Sequence, residues 1–175
     1  MRAYQHMVFS TATRLVGNDA QAEDIAQEVF VRAYAHFDEL RASHTSGGWL
    51  KTVATNLAIN HLQRYRRRWR MFSEMESNGN DDERTEFDPS ASSHTLSADL
   101  DTEQQRALIE TALQKLPADQ RTALVLYHFE DFSYQEISKR LRSSLAKVKT
   151  DIHRARMALL PLLKASGIDR SSLED

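Results

Sequence analysis

No cysteine occurs among the 175 residues, which excludes a disulfide scaffold, a thiol nucleophile and any cysteine-ligated metal site. Glycine and proline number 5 and 3, too few for the turns an all-β chain needs at each reversal. Long hydrophobic runs are also missing. The longest aliphatic stretch, MALLPLL at 157–163, falls far short of the about 20 residues that span a bilayer. The opening MRAYQHMVFSTATR lacks the apolar segment of a secretory signal. The histidines at 6, 36, 44, 61, 94, 128 and 153 are scattered, and neither a carboxylate pair nor a Gly-rich phosphate loop is visible. No catalytic residue, metal site or cofactor is therefore expected. What is present, 27% charged and 41% hydrophobic residues, is a globular composition. These features together describe a soluble, cytoplasmic, all-α protein that is not an enzyme.

The net charge of −2 conceals an uneven distribution. Residues 1–72 hold 10 basic and 6 acidic side chains, residues 73–101 hold 1 and 9, and residues 102–175 hold 12 and 10. Within the last part, 132–165 carries 8 basic against 2 acidic groups. Two locally basic segments thus flank an acidic one. The acidic segment is rich in Ser, Asp, Asn and Glu and poor in large apolar side chains. It cannot bury enough surface to offset its ordering entropy and reads as a flexible linker between two small helical domains.

From Ala22 the apolar positions Ala22, Ile25, Ala26, Val29, Phe30, Ala33 and Phe37 follow helical spacing with one buried stripe. Gly17 ends the preceding helix, and Asn18 or Asp19 supplies the N-cap. The outer surface carries Asp24, Gln27, Glu28, Val31, Arg32 and Ala35, part acidic and part apolar. It is either a solvated face or a docking face for a partner protein. A second helix is expected from about Gly48 to Arg68, with Leu50, Val53, Ala54, Leu57, Ala58, His61 and Tyr65 inward. Asn56, Asn60, Gln63 and Arg67 form one polar stripe that leads into RYRRRWR. Carboxamides donate and accept at base edges, and arginines neutralise phosphates. Tyr65, Trp69 and Phe72 interleave with Arg64, Arg66, Arg67, Arg68 and Arg70, a mixture that suits unstacked single strands. Trp49, at the other end, is equally open to a core role.

In the C-terminal part, Leu108, Ala112, Leu113 and Leu116 line a helix that stops before Pro117, which fits the first turn of ADQRTALVLYHF. Ser133 and Glu136 form a capping box that opens a short helix with Ile137 and Leu141 inward. Ser144 caps the next helix, whose inward positions are Leu145, Val148, Ile152, Ala155 and Leu159. Two short helices joined by a tight turn, the second one basic, describe a helix-turn-helix. At about 100° per residue, Thr150, His153 and Arg154 point outward towards base edges, with Ala146 and Lys147 close by. Lys149 and Arg156 flank that axis within reach of phosphates. Asp151 lies on the other flank, four residues from Lys147 and three from Arg154, where it holds one of them or weakens DNA binding locally.

Three segments in this order, NDAQAEDIAQEVFVRAY, GGWLKTVATNLAINHLQRYRRR and LPADQRTALVLYHFEDFSYQEISKRL with VKTDIHRAR, resemble a bacterial RNA polymerase sigma factor of the sigma-70 family. The likeness is to the extracytoplasmic function group, which keeps only regions 2 and 4. The resemblance implies region 2 at 1–72, a linker at 73–101, region 4 at 102–165 and a tail at 166–175. It implies core polymerase binding by Asp24, Gln27, Glu28, Val31 and Arg32. Opening and capture of the −10 element falls to Trp49, Asn56, Asn60, Gln63, Arg64, Arg66, Arg67 and Arg68. Reading of the double-stranded −35 element falls to Ser144, Lys147, Lys149, Thr150, His153, Arg154 and Arg156. It also implies an anti-sigma partner, and a linker that threads into the polymerase near the RNA exit path. Relative to the family pattern, Arg142 and Ser143 replace a glycine and an aliphatic residue, Lys147 a threonine, Asp151 an arginine and Asn60 a frequent aspartate. The first helix also opens abruptly, as though part of the usual N-terminus were absent.

Two other classes fit less well. A sigma-like mimic that captures only an anti-sigma factor needs no phosphate ligands, yet arginines crowd 64–70. A dimeric helix-turn-helix repressor leaves the N-terminal unit without ligand or phosphoacceptor logic.

Overall fold

The computed structural model describes residues 2–76 and 102–165, with side chains for 3–68 and 104–165. Most of the acidic linker, from 77 to 101, and the tail at 166–175 lie outside the described residues, as do the side chains of Trp69, Arg70 and Phe72. Among the described residues the regular elements are helices, in the order α1 (Arg2–Val16), α2 (Asp19–Ala35), α3 (Phe37–Ala42), α4 (Ser46–Glu76), α5 (Thr102–Gln114), α6 (Ala118–His128), α7 (Tyr134–Leu141) and α8 (Leu145–Ala165). The all-α class is the one expected.

Local chemistry sets most of the boundaries. Gly17, at φ +69°, turns the chain out of α1, and its N–H donates to the Thr13 carbonyl at 2.7 Å. Asn18 then caps α2 by accepting from the Gln21 N–H at 3.0 Å. At His36 the backbone leaves the helical path, with φ −110° and ψ 24°. Phe37, expected on the buried stripe of α2, therefore opens α3 and is exposed. α4 starts before Gly48 and runs past Arg68 to Glu76, because neither Pro nor Gly interrupts it after Gly48. Tyr65, expected inward, is 58% exposed on that long helix. Pro117 stands at the N-cap of α6, one position before the first turn expected for it.

Most of the apolar stripes assemble into one core, and Ala112 of α5 and Leu163 of α8 form a small second cluster. Val8, Ala12 and Leu15 of α1, Ile25 and Val29 of α2, and Ala54 of α4 are buried in the N-terminal unit. Leu126 of α6, Ile137 of α7, and Val148 and Ile152 of α8 are buried in the C-terminal unit. The two units also join each other, α1 packing on α5 and α6 and α4 on α7. The cause lies in α6, where six consecutive residues, Arg121 to Leu126, are buried. A helix covered by α8 on one side and α1 on the other has no solvent face along that stretch.

Candidate functional site

α2 presents its outer face as expected. Asp24, Gln27, Glu28, Val31 and Arg32 are all exposed, and Val31 is 70% accessible. Glu28 and Arg32, one turn apart, form an ion pair at 2.5 Å. Beside them an open groove of about 730 Å³ runs between α1 and α2, lined by Phe9, Ala26, Gln27, Phe30, Val31 and Tyr34 among others. A frame of charge around accessible aliphatic and aromatic groups is the composition of a protein-docking face.

α4 carries the second set. Asn60, Arg64, Arg67 and Arg68 are exposed, and Asn56 lies on the same side of the helix. Trp49 is half-buried, with its ring centroid 5.8 Å from that of His36, so it is partly a packing residue. Gln63 and Arg66 are half-buried and engaged by the other unit. Gln63 donates to the Arg140 carbonyl, and Arg66 pairs with Asp119. Arg140 in turn donates to Asn56 Oδ1 at 2.7 Å and stacks over Phe132 at 4.2 Å.

α7 and α8 build the third set. The capping box is complete: the Ser133 hydroxyl accepts from the Glu136 N–H, while the Glu136 carboxylate accepts from the Ser133 N–H and hydroxyl. The turn is closed by Arg142 in the left-handed conformation, φ 52° and ψ 46°. Ser144 caps α8 by accepting from the Lys147 N–H at 3.2 Å. Lys149, Thr150, His153 and Arg154 are exposed along one side of α8, as helical geometry predicts. Leu145, expected inward, is 37% exposed at the first position of the helix.

Three groups of this set are engaged inside the protein. Arg156 donates to His128 Nε2 at 3.2 Å and lies over the Tyr127 ring. Burial and the neighbouring Arg156 charge hold His128 below its ordinary pKa of 6.5. Asp151, expected on the exposed flank, is only 9% accessible because α6 covers that side of α8. It accepts from Lys147 Nζ at 2.7 Å, one of the two pairings its spacing allowed. Lys147 also reaches Asp119 Oδ2 at 2.9 Å. Burial works against its charge, but the hydrogen bonds to Asp151 and Asp119 prevail and raise it above 10.5.

Asp119, Arg121, Glu130 and Arg140 carry no motif signal, and their importance is visible only in space. Acidic placement in the first turn of α6 suggests for Asp119 nothing beyond a helix-dipole contact. Glu130 sits between Lys51 Nζ, at 3.4 Å, and the Thr55 hydroxyl, at 3.0 Å.

Comparison with known proteins decides the family. The description "Sigma-70 region 2" matches residues 1–68, and "Sigma-70, region 4" matches residues 106–159. The chain is 33% identical over 172 residues to the RNA polymerase sigma-H factor of Pseudomonas aeruginosa, covering 92% of this chain and 84% of that protein. The chain belongs to the sigma-70 family of RNA polymerase sigma factors. The ECF RNA polymerase sigma factor SigW of Bacillus subtilis is 30% identical over 162 residues, covering 92% of this chain and 85% of SigW, which places this sigma factor in the extracytoplasmic function group. It is also similar to a solved structure, the sigma factor RpoE in complex with the anti-sigma factor NepR from Bartonella quintana. The TM-score there is 0.51 at 25% identity, over 97% of this chain and 95% of that one. As a member of this family the chain serves transcription initiation, with α7 and α8 as the region 4 helix-turn-helix. Among the described residues, no helix is long and apolar enough to cross a membrane.

Proposed function

We propose that this sigma factor binds core RNA polymerase and directs it to promoters by reading a double-stranded −35 element with α8 and melting a −10 element with α4. The observation that carries the reading is the pair of cation-bearing faces, one in each matched region. Arg64, Arg67 and Arg68 are exposed on α4, and Lys149 and Arg154 on α8, each beside side chains able to read bases. Asn56, Asn60 and Gln63, with Trp49 and Arg66, complete the −10 surface. Ser144, Lys147, Thr150, His153 and Arg156 complete the −35 surface. Asp24, Gln27, Glu28, Val31 and Arg32 dock the polymerase through its β and β′ subunits, and the α1–α2 groove beside them adds apolar area. The functional units run over 1–72 and 102–165, joined by the linker at 73–101 and followed by the tail at 166–175. The chain supplies specificity and no catalytic group, works in the cytoplasm, and is held in check by an anti-sigma factor, the kind of partner present in the similar Bartonella structure.

The test is transcription in vitro from a genomic fragment library, with core polymerase in the presence and absence of the protein. Defined start sites that depend on the protein are expected, and their consensus reports both elements. Arg64, Arg67 and Arg68 replaced together by alanine abolish opening while duplex −35 binding persists. Lys149→Ala with Arg154→Ala reduces the salt dependence of −35 binding by about one counterion per cation removed. Start sites that are unchanged when the protein is omitted sink the reading.

A further inference from the structure

α7 is flanked on both sides by residues with positive φ, Asp131 at 55° and Arg142 at 52°. Aspartate visits the left-handed region routinely, because its short side chain can bond locally. Arginine has no such relief, and its Cβ makes the conformation costly. Two backbone bonds close the turn, from the Arg142 N–H to the Lys139 carbonyl at 3.3 Å and from the Ser143 N–H to the Ser138 carbonyl at 3.0 Å. Neither needs a side chain at position 142, and glycine would make both without strain. At Gly17, φ +69°, the chain does use glycine to leave a helix.

Nothing inside the protein offsets that cost through the side chain. Arg142 is exposed, and its guanidinium makes no hydrogen bond or ion pair among the described residues. Its neighbours in the turn are engaged. The Ser143 carbonyl accepts from the Ser138 hydroxyl at 2.6 Å, and the Ser144 hydroxyl accepts from the Lys147 N–H at 3.2 Å. On α7, Arg140 lies over Phe132 and donates to Asn56, while the Glu136 carboxylate is held by Ser133. Lys139, exposed three positions before Arg142, has no side-chain partner among the described residues either. The turn therefore presents two unpaired cations, with the acid of the same helix already engaged.

Position identifies the ligand. In a helix-turn-helix the first helix crosses the DNA backbone while the second enters the major groove by its N-terminal end. The turn between them stands at the lip of the groove, where the phosphates run. A guanidinium there offers a planar fork of donors that matches phosphate oxygens. Strain with no internal compensation points to a role outside the folded chain. Resting on the promoter reading above, we propose that Arg142 is a phosphate ligand at the edge of the −35 element, with Lys139 adding to the local positive potential. The contact is independent of base sequence and fixes register alongside Lys149 and Arg154. Glycine at this position would remove the strain and the guanidinium together, so stability and DNA affinity pull in opposite directions.

The experiment separates strain from charge. Holoenzyme is assembled from core polymerase and each variant, and its affinity for a promoter recovered from the transcription assay is measured over a range of salt. Arg142→Gly and Arg142→Ala are both expected to bind about fivefold more weakly than the parent, with the salt slope reduced by about one. Only Arg142→Gly should unfold at higher urea than the parent. Arg142→Lys, which keeps both charge and strain, retains the parent slope. Single methylphosphonates placed in turn around the −35 element remove one phosphate charge at a time. At the contacted phosphate the parent should weaken about fivefold and Arg142→Ala hardly at all, since its contact is already gone. Affinity that follows stability, with Arg142→Gly at least as tight as the parent, overturns the proposal. So does a loss of affinity that spares the salt slope and every methylphosphonate response, which sets Arg142 against an acidic surface of the polymerase instead. A parent chain that gives no promoter-dependent transcription overturns the promoter reading and this ligand with it. A parent that initiates normally beside variants that match it in affinity and slope overturns the ligand alone.

Discussion

Arg142 shows how one position can carry strain that its neighbours conceal. Its φ of 52° belongs to the left-handed region, which costs an L-residue with a Cβ roughly 1–2 kcal/mol. The helix end makes the conformation worthwhile, since the Arg142 N–H donates to the Lys139 carbonyl and the Ser143 N–H to the Ser138 carbonyl. The Arg142 side chain is exposed, so removing it sacrifices no burial. Arg142→Gly is expected to stabilise the protein by about 1 kcal/mol, read as a rise in the thermal or urea unfolding midpoint, and Arg142→Ala gives no such gain. Gly17 is the opposite case. Its φ of +69° already favours glycine, and a Cβ there falls 2.3 Å from Arg121 Nη2. Arg121, only 6% accessible, gives its guanidinium to the Val16 and Leu116 carbonyls. The bare turn at Gly17 is what lets a charged group from α6 reach the end of α1.

At the scale of elements, the corner between α6 and α7 rests on α4 through Glu130. Burial raises this carboxyl above 4.5, more than the Lys51 charge and the Thr55 hydrogen bond lower it. The folded pKa therefore exceeds the unfolded one. The contribution of Glu130 to stability is complete below about 4.5 and is lost as pH rises through the folded value. Glu130→Gln, which keeps the shape and removes the charge, should match the parent below that window and be at least as stable at pH 7. Urea unfolding at several pH values checks this, and a variant that loses stability only at neutral pH contradicts it. Elements governed by near neighbours were legible beforehand: the capping box at Ser133–Glu136, the Ser144 cap and the outward arc of Thr150, His153 and Arg154 all follow from spacing alone. Elements governed by distant partners were not. Hydrophobic periodicity assigns α6 a buried stripe, yet it cannot say that a second unit covers the other side and buries Arg121. Asp151 reads as an exposed flank of α8 for the same reason, since the packing of α6 lies outside the pattern of its own helix.

For the whole molecule, the quantity to measure is the free energy that holds the two units together across α1, α4, α6 and α7. If the proposed promoter contacts require the units to part, each 1.4 kcal/mol of preference for the packed form weakens apparent binding about tenfold. Single half-exposed ion pairs contribute on the order of 0–1 kcal/mol, so the apolar core shared by the two units and the buried Arg121 hold most of the packing between them. On the proposed promoter reading the two units are the ends of one binding device whose strength comes from engaging two sites at once, and that gain vanishes if geometry forbids simultaneous contact. A covalent tie across the seam tests this directly. Lys51 and Glu130 face each other across it and belong to neither proposed DNA-reading surface, so Lys51→Cys with Glu130→Cys gives a chain whose only two thiols can be joined by a short bis-maleimide. Untied, the double variant should initiate from the same promoters as the parent chain. Tied, it should lose at least about tenfold in promoter-dependent transcription while keeping its helical circular dichroism. A tied chain as active as the untied one means that the units need not part, and that α4 and α8 reach both elements from the packed arrangement.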